Sequence, residues 1–210
     1  MTEPRYDVIA IGNAVVDVIA SCSEDLIEEL GLNRGGMTLV DAEGAKTLYA
    51  AMGQAREVSG GSAANTLAGA SMLGLQCAFV GQVCNDQLGE VFTHDMRATG
   101  IDFDTPPLQD GPPTGRCLIF VTPDGERTMN TFLGAGQFLP AHALDEGGIV
   151  NAGLAAFDAA FQADEHAEVG DRLDLAGDLV ALLVDGREGL PRVRGDLLDA
   201  ERDAATLFVD

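Results

Sequence analysis

Two short runs place polar side chains beside glycine in a pattern suited to holding a small polyhydroxylated ligand. The first is Gly12-Asn13-Ala14-Val15-Val16-Asp17, which follows an apolar run. In a strand, Asn13 and Asp17 would share one face, because four is an even spacing. An ionised carboxylate in such a run needs a partner. Asp17 could accept hydrogen bonds from ligand hydroxyls with Asn13 beside it; equally, Asn13 could end a turn and Asp17 could cap or pair locally. The second run is Ser59-Gly60-Gly61-Ser62-Ala63-Ala64-Asn65. Twin glycines let backbone approach a ligand closely. Ser62 is placed to cap the helix that follows, whose N-terminal amides would face the same spot. Asn65, one turn on, could reach that ligand too. A plain, well-capped loop-to-helix turn accounts for the spacing equally well.

Other chemistries find little support. The glycine run is neither a GxxxxGK[ST] phosphate loop nor a dinucleotide GxGxxG, and the chain's one lysine is Lys46. Cys22, Cys77, Cys84 and Cys117 form no CxxC pair and lack zinc-ligand spacing, which suits four reduced thiols packed as small apolar groups. His94, His142 and His166 are isolated and read as surface or structural residues. Paired acids such as Asp164-Glu165 suit a helix start. No metal site is expected.

The elements that must position these residues alternate between β-rich and helical stretches, the pattern of a parallel sheet covered by helices. Strands are predicted at Tyr6–Ile11 and Cys77–Val83, and at Cys117–Thr122 and Arg127–Phe132 around the hairpin signal Pro123-Asp124-Gly125-Glu126. Helices are predicted at Glu24–Leu30 behind Ser23, at Ala42–Met52, at Ser62–Leu73 stopped by Gly74, and at Leu88–Thr99 ended by Gly100. Further along, Ala152–Phe161, Leu179–Val184 and Ala205–Val209 read as strands, and Asp164–Asp174 and Arg187–Asp203 as acidic helices. A chain that stops on a parallel strand suggests an incomplete fold, or one that another chain completes.

Composition narrows the partners. The 210 residues carry 12 Lys+Arg against 34 Asp+Glu, a net charge of −22, with acid in both halves. That field repels phosphate backbones and anionic membrane surfaces, so neither nucleic acid nor membrane is expected as a partner. A phosphorylated cosubstrate would need a locally built anion site or magnesium. At 46% hydrophobic residues the chain has material for a core. No secretory signal is evident, and a cytoplasmic location is expected.

Four blocks, GNAVVD, GGSAANT, GQVCNDQLGE and TGRCLIFVTPDGERTMN, together resemble the N-terminal part of the ribokinase-like (PfkB) sugar and nucleoside kinases, most of all bacterial adenosine-kinase-like members. The resemblance is specific over residues 6–140 and weak over 150–210. It implies a three-layer α/β/α sandwich occupying residues 1–210, incomplete at its C-terminus. A discontinuous β lid would come from roughly 15–21, 36–40 and 115–133, the last covering Gly115–Thr122 and Arg127–Leu133. By position, Asp17 would bind sugar hydroxyls, and Asn13, Gly60, Gly61, Ser62 and Asn65 would line the same pocket. Met129, Thr131 and Leu133 would face the base or sugar from the lid. Arg127 would point towards the transferred phosphate, unless it is simply a solvated hairpin charge.

The implied activity is ATP-dependent, magnesium-assisted phosphoryl transfer to a hydroxyl of a nucleoside or carbohydrate. The family's second signature, a D-T-x-G-A-G-D run carrying the anion hole and catalytic aspartate, does not occur in these residues. Gly134-Ala135-Gly136 is followed by Gln137, and Ala176-Gly177-Asp178 precedes a predicted strand where the family has a helix. The expectation is therefore a substrate half only, with the base missing. The alternatives are an inactive relative that binds a nucleoside or sugar, or a subunit completed by another chain, with a dimer or a completing chain as partner.

Overall fold

The computed structural model describes residues 5–140, Ala143 and a strand at 152–157. The predicted elements at 164–174, 179–184, 187–203 and 205–209 lie outside the described residues. So do His142, His166 and Ala176-Gly177-Asp178.

Two sheets organise the described chain. Strand β1 (Tyr6–Ile11) leads into β2 (Val15–Ser21), then helix α1 (Glu24–Glu29), β3 (Met37–Leu39), α2 (Ala42–Ala51) and β4 (Ala55–Gly60). Helix α3 (Ser62–Met72) follows, then β5 (Cys77–Val80), α4 (Gln87–Ala98) and β6 (Ile101–Asp102). The hairpin β7 (Gly115–Val121) and β8 (Arg127–Phe132) precedes β9 (Ala152–Phe157). One sheet is wholly parallel, in the order β6-β5-β1-β9; the other is mixed, in the order β3-β8-β7-β2-β4.

From Val8 onward β1 is apolar on both faces because it is one of the two inner strands of the parallel sheet. Val8 and Ala10 pack with α3 and α4; Ile9 and Ile11 pack on the opposite face with Leu139 and Ala143. Phe79, Phe92 and Phe103 meet under α4 with ring centroids 5.4 to 5.8 Å apart, all of them buried. Behind the mixed sheet, α1 and α2 bury Ile27, Ala45 and Leu48 against Val18, Leu118 and Phe120.

The short-range signals read as expected. Ser23 caps α1 by accepting the Leu26 N–H at 3.2 Å. Gly74 and Gly100 take positive φ just past α3 and α4, and Gly125 does so in the hairpin. The four cysteines are free.

Three expectations need correction. Ser62 does not cap α3: it is the first helical residue, Gly61 occupies the cap at φ 95°, and no side chain caps the helix. Asn13 lies in the coil between β1 and β2, so strand parity does not place it on the Asp17 face. Strand β5 stops at Val80, short of Val83.

Candidate functional site

The chain passes between the sheets at 12–14, at Gly60-Gly61, at 113–115 and at 133–134. These crossings lie against one another, and glycine makes this possible. A Cβ on Gly61 would lie 3.0 Å from the Asn13 carbonyl, and one on Gly115 would lie 2.6 Å from the Leu133 carbonyl. One on Gly134 would lie 2.1 Å from the Pro113 carbonyl, and one on Gly136 would lie 2.9 Å from Asn13 Oδ1. The backbone contacts at Gly115 and Gly134 leave no room for a side chain, and Gly61 and Gly134 also hold a positive φ that favours glycine.

Asp17 is placed by this arrangement. In β2 the residues Val16, Val18 and Ala20 are buried, while Asp17 and Ile19 turn to the opposite, more open face. Register puts Asp17 between Val58 of β4 and Cys117 of β7, and Cys117 in turn opposite Thr131 of β8. The carboxylate reaches over the end of β4: a Cβ on Gly60 would lie 2.3 Å from Asp17 Cγ. Burial pushes the Asp17 carboxyl above the usual carboxylate range, and the positive charge of Arg127 pulls the other way.

Of the other expected residues, Asn13 is buried beside this crossing. Ser62 and Asn65 are exposed on the first turn of α3, three residues apart and so on one face. Arg127, Met129 and Thr131 alternate along β8 onto the Asp17 face, and Leu133 continues that alternation past the strand. Arg127 is exposed, close enough to act on Asp17 electrostatically. Gly134-Ala135-Gly136 is the buried first part of a 3-10 turn, Gly134–Phe138, beneath Asn13.

Sequence reasoning missed β4, Cys117 and Gly136. Cys117 is central to the Asp17 face. Its thiol accepts a hydrogen bond from Thr131 Oγ1 at 3.3 Å and is pushed up to about 11, mainly by burial, with Asp17 adding to the effect. The period-two pattern of TGRCLIF places Cys117 and Ile119 on one face; which face they share becomes visible only in the register with β2.

The site is therefore an open sheet face that meets a helix start. It presents the Asp17 carboxylate, the Arg127 guanidinium and close-approach backbone, a combination suited to a ligand with several hydroxyls. A separate cleft of about 760 Å³ runs between α4 and residues 103–107, and none of the expected site residues lines it.

Comparison with known proteins fits this geometry. The family profile "pfkB family carbohydrate kinase" matches residues 34–173. The crystal structure of adenosine kinase from Sinorhizobium meliloti superposes with a TM-score of 0.69 at 50% identity, covering 73% of this chain and 47% of that one. A probable sugar kinase protein from Rhizobium etli superposes with the same TM-score at 45% identity, over the same shares of the two chains. Guanosine-inosine kinase from Escherichia coli is 29% identical over 153 residues, which is 69% of this chain and 35% of that protein. The chain thus spans about a third of this curated relative and about half of the two solved structures.

Proposed function

The chain belongs to the pfkB family of carbohydrate kinases, and on that premise we propose that it supplies the acceptor-binding part of a nucleoside kinase of the adenosine type. Its ribokinase-like α/β fold carries, in the mixed sheet, the lid over that acceptor. The observation behind this reading is the contact of the Asp17 carboxylate with Gly60, the last residue of β4, two residues ahead of α3.

Each residue has a physical task in this reading. Ionised, Asp17 offers two acceptor oxygens that match two neighbouring hydroxyls of a ribose ring, and such charge-assisted hydrogen bonds are the strong ones. Gly60 and Gly61 let the ring lie against backbone. With no side-chain cap, the first amides of α3 are left for the ligand, with Ser62 and Asn65 at the same end. Asn13 holds the floor. Met129, Thr131 and Leu133, with Cys117, give a mostly apolar face for a base. Arg127 puts a positive charge on the side from which a phosphoryl group would arrive.

Members of this family generally use ATP and magnesium, ATP supplying the phosphoryl group. Among the described residues no group of three or more His, Cys, Asp or Glu side chains is gathered to hold a metal ion, so no residue here is assigned to magnesium. The sequence holds no D-T-x-G-A-G-D run, so no residue is assigned as the base that would take the acceptor's proton. The expected behaviour of this chain is nucleoside binding without turnover.

Titration calorimetry with adenosine, inosine and ribose, alongside a phosphorylation assay with ATP and magnesium, tests this directly. Binding of one of them that is lost in Asp17→Ala supports the reading. Absence of binding by the unmodified chain overturns it. Turnover lost in Asp17→Ala would retain the pocket and overturn the view that the base is missing.

A further inference from the structure

Helix α4 carries a carboxylate where local rules disfavour one. Asp95 sits in its C-terminal half, three residues before Ala98, where a negative charge opposes the helix dipole and where aspartate is a weak helix former. A local rule broken without local gain points to a tertiary task.

That task is visible at the edge of the mixed sheet. Strand β4 is the last strand, so every second N–H of its backbone turns away from β2 and needs another partner. Ser59 has such an outward N–H, and it donates to Asp95 Oδ2 at 2.9 Å. The other oxygen, Oδ1, lies 3.2 Å from His94 Nδ1. The Asp95 side chain is 27% exposed, so its bond to Ser59 is shielded from water on most sides. Ser59 is the last residue of β4 before Gly60, whose Cα faces Asp17, and before the turn at Gly61 that opens α3.

The same helix holds a second crossing. At its N-terminus Asp86 accepts the Thr114 N–H at 2.9 Å and the Thr114 hydroxyl at 2.6 Å, just ahead of Gly115. Helix α4 thus grips the mixed sheet near two of the chain's passages, and the Asp95 grip is the one beside the twin glycines.

We propose that Asp95 is a positioning residue for the acceptor pocket: by holding the outward N–H of Ser59 it sets how closely Gly60 lies against Asp17 and Gly61 against Asn13. This rests on the acceptor-binding reading given above. Asp95 touches no ligand and acts through the backbone of β4. Asp95→Ala removes the acceptor while improving helix propensity, so α4 is expected to persist. Asp95→Asn keeps an oxygen that can accept the same N–H.

The test uses the whole chain and two readouts. Amide hydrogen exchange, followed by NMR on free protein, reads the tether itself. Exchange at Ser59 should quicken about tenfold in Asp95→Ala, stay near wild type in Asp95→Asn, and remain unchanged at β1 and β5 in both. Adenosine titration reads the consequence: affinity should fall about tenfold in Asp95→Ala and recover in Asp95→Asn. Unchanged exchange at Ser59 overturns the tether. Faster exchange with unchanged affinity overturns the positioning role while leaving the pocket standing. A wild-type chain that binds no nucleoside, with Ser59 still protected by Asp95, overturns the acceptor-binding reading and the positioning role with it, but not the tether.

Discussion

The Asp17 carboxylate fills the space that a side chain on residue 60 would need: a Cβ on Gly60 would meet Asp17 Cγ at 2.3 Å and both carboxylate oxygens within 2.5 Å. The two residues belong to neighbouring strands, with Val15 rather than Asp17 in register with Gly60. The contact is therefore made by the reach of the aspartate side chain, and the glycine is what permits it.

Gly60→Ala should displace Asp17 and close the approach to the backbone. Overpacking of this kind costs about 1–3 kcal/mol. A urea unfolding midpoint should fall accordingly, and adenosine affinity should drop by about tenfold or more. Wild-type affinity in this variant would show that Asp17 does not need its present position.

Asp17→Asn separates stability from binding. Burial disfavours the charged carboxylate, so a neutral amide of the same shape should raise the melting temperature of the free protein by a few degrees, a trade often seen at binding sites. Affinity for hydroxyl-bearing ligands should fall, because an amide offers one acceptor oxygen in place of two. Differential scanning fluorimetry checks the first half; a lower melting temperature contradicts the desolvation argument.

The pH dependence has a definite sign. The folded-state pKa of Asp17 is raised, so the folded chain holds this proton more tightly than the unfolded one. The resulting stabilisation is full below the ordinary carboxylate range and is lost as pH rises through the raised value. Ligand affinity runs the opposite way, increasing over the same window as the carboxylate ionises. Arg127 lowers the Asp17 pKa, so Arg127→Ala should move the binding midpoint to higher pH. A titration of adenosine affinity against pH for both proteins measures the shift, and a downward one contradicts the charge relationship.

Phe92 is fully buried between Phe79 and Phe103 and ties α4 to the parallel sheet. Phe92→Ala should cost about 3–5 kcal/mol. Because α4 also holds Asp86 and Asp95, hydrogen exchange at Ser59 and Thr114 should quicken with it. Exchange confined to the neighbourhood of residue 92 would show that the helix does not transmit the loss.

The amino-acid sequence on its own determined those features whose causes lie within a few residues. Ser23 three residues ahead of Leu26, Gly74 and Gly100 behind their helices, and the Pro123-Asp124-Gly125-Glu126 turn each carry their own geometric reason. The resemblance to the family likewise paired Asp17 with Gly60-Gly61, and Asp17 and Gly60 lie in contact. Tertiary structure decided what depends on neighbours distant in the chain. Strand β4 is an edge strand with Arg56 and Glu57 among its residues, so it shows no buried period to read. Cys117 joined the site only through register, and Ser62 gave up its capping role because the turn at Gly61 demands a positive φ. Short-range chemistry writes caps and turns into the sequence, but which strand lies beside which is fixed only when the chain closes on itself.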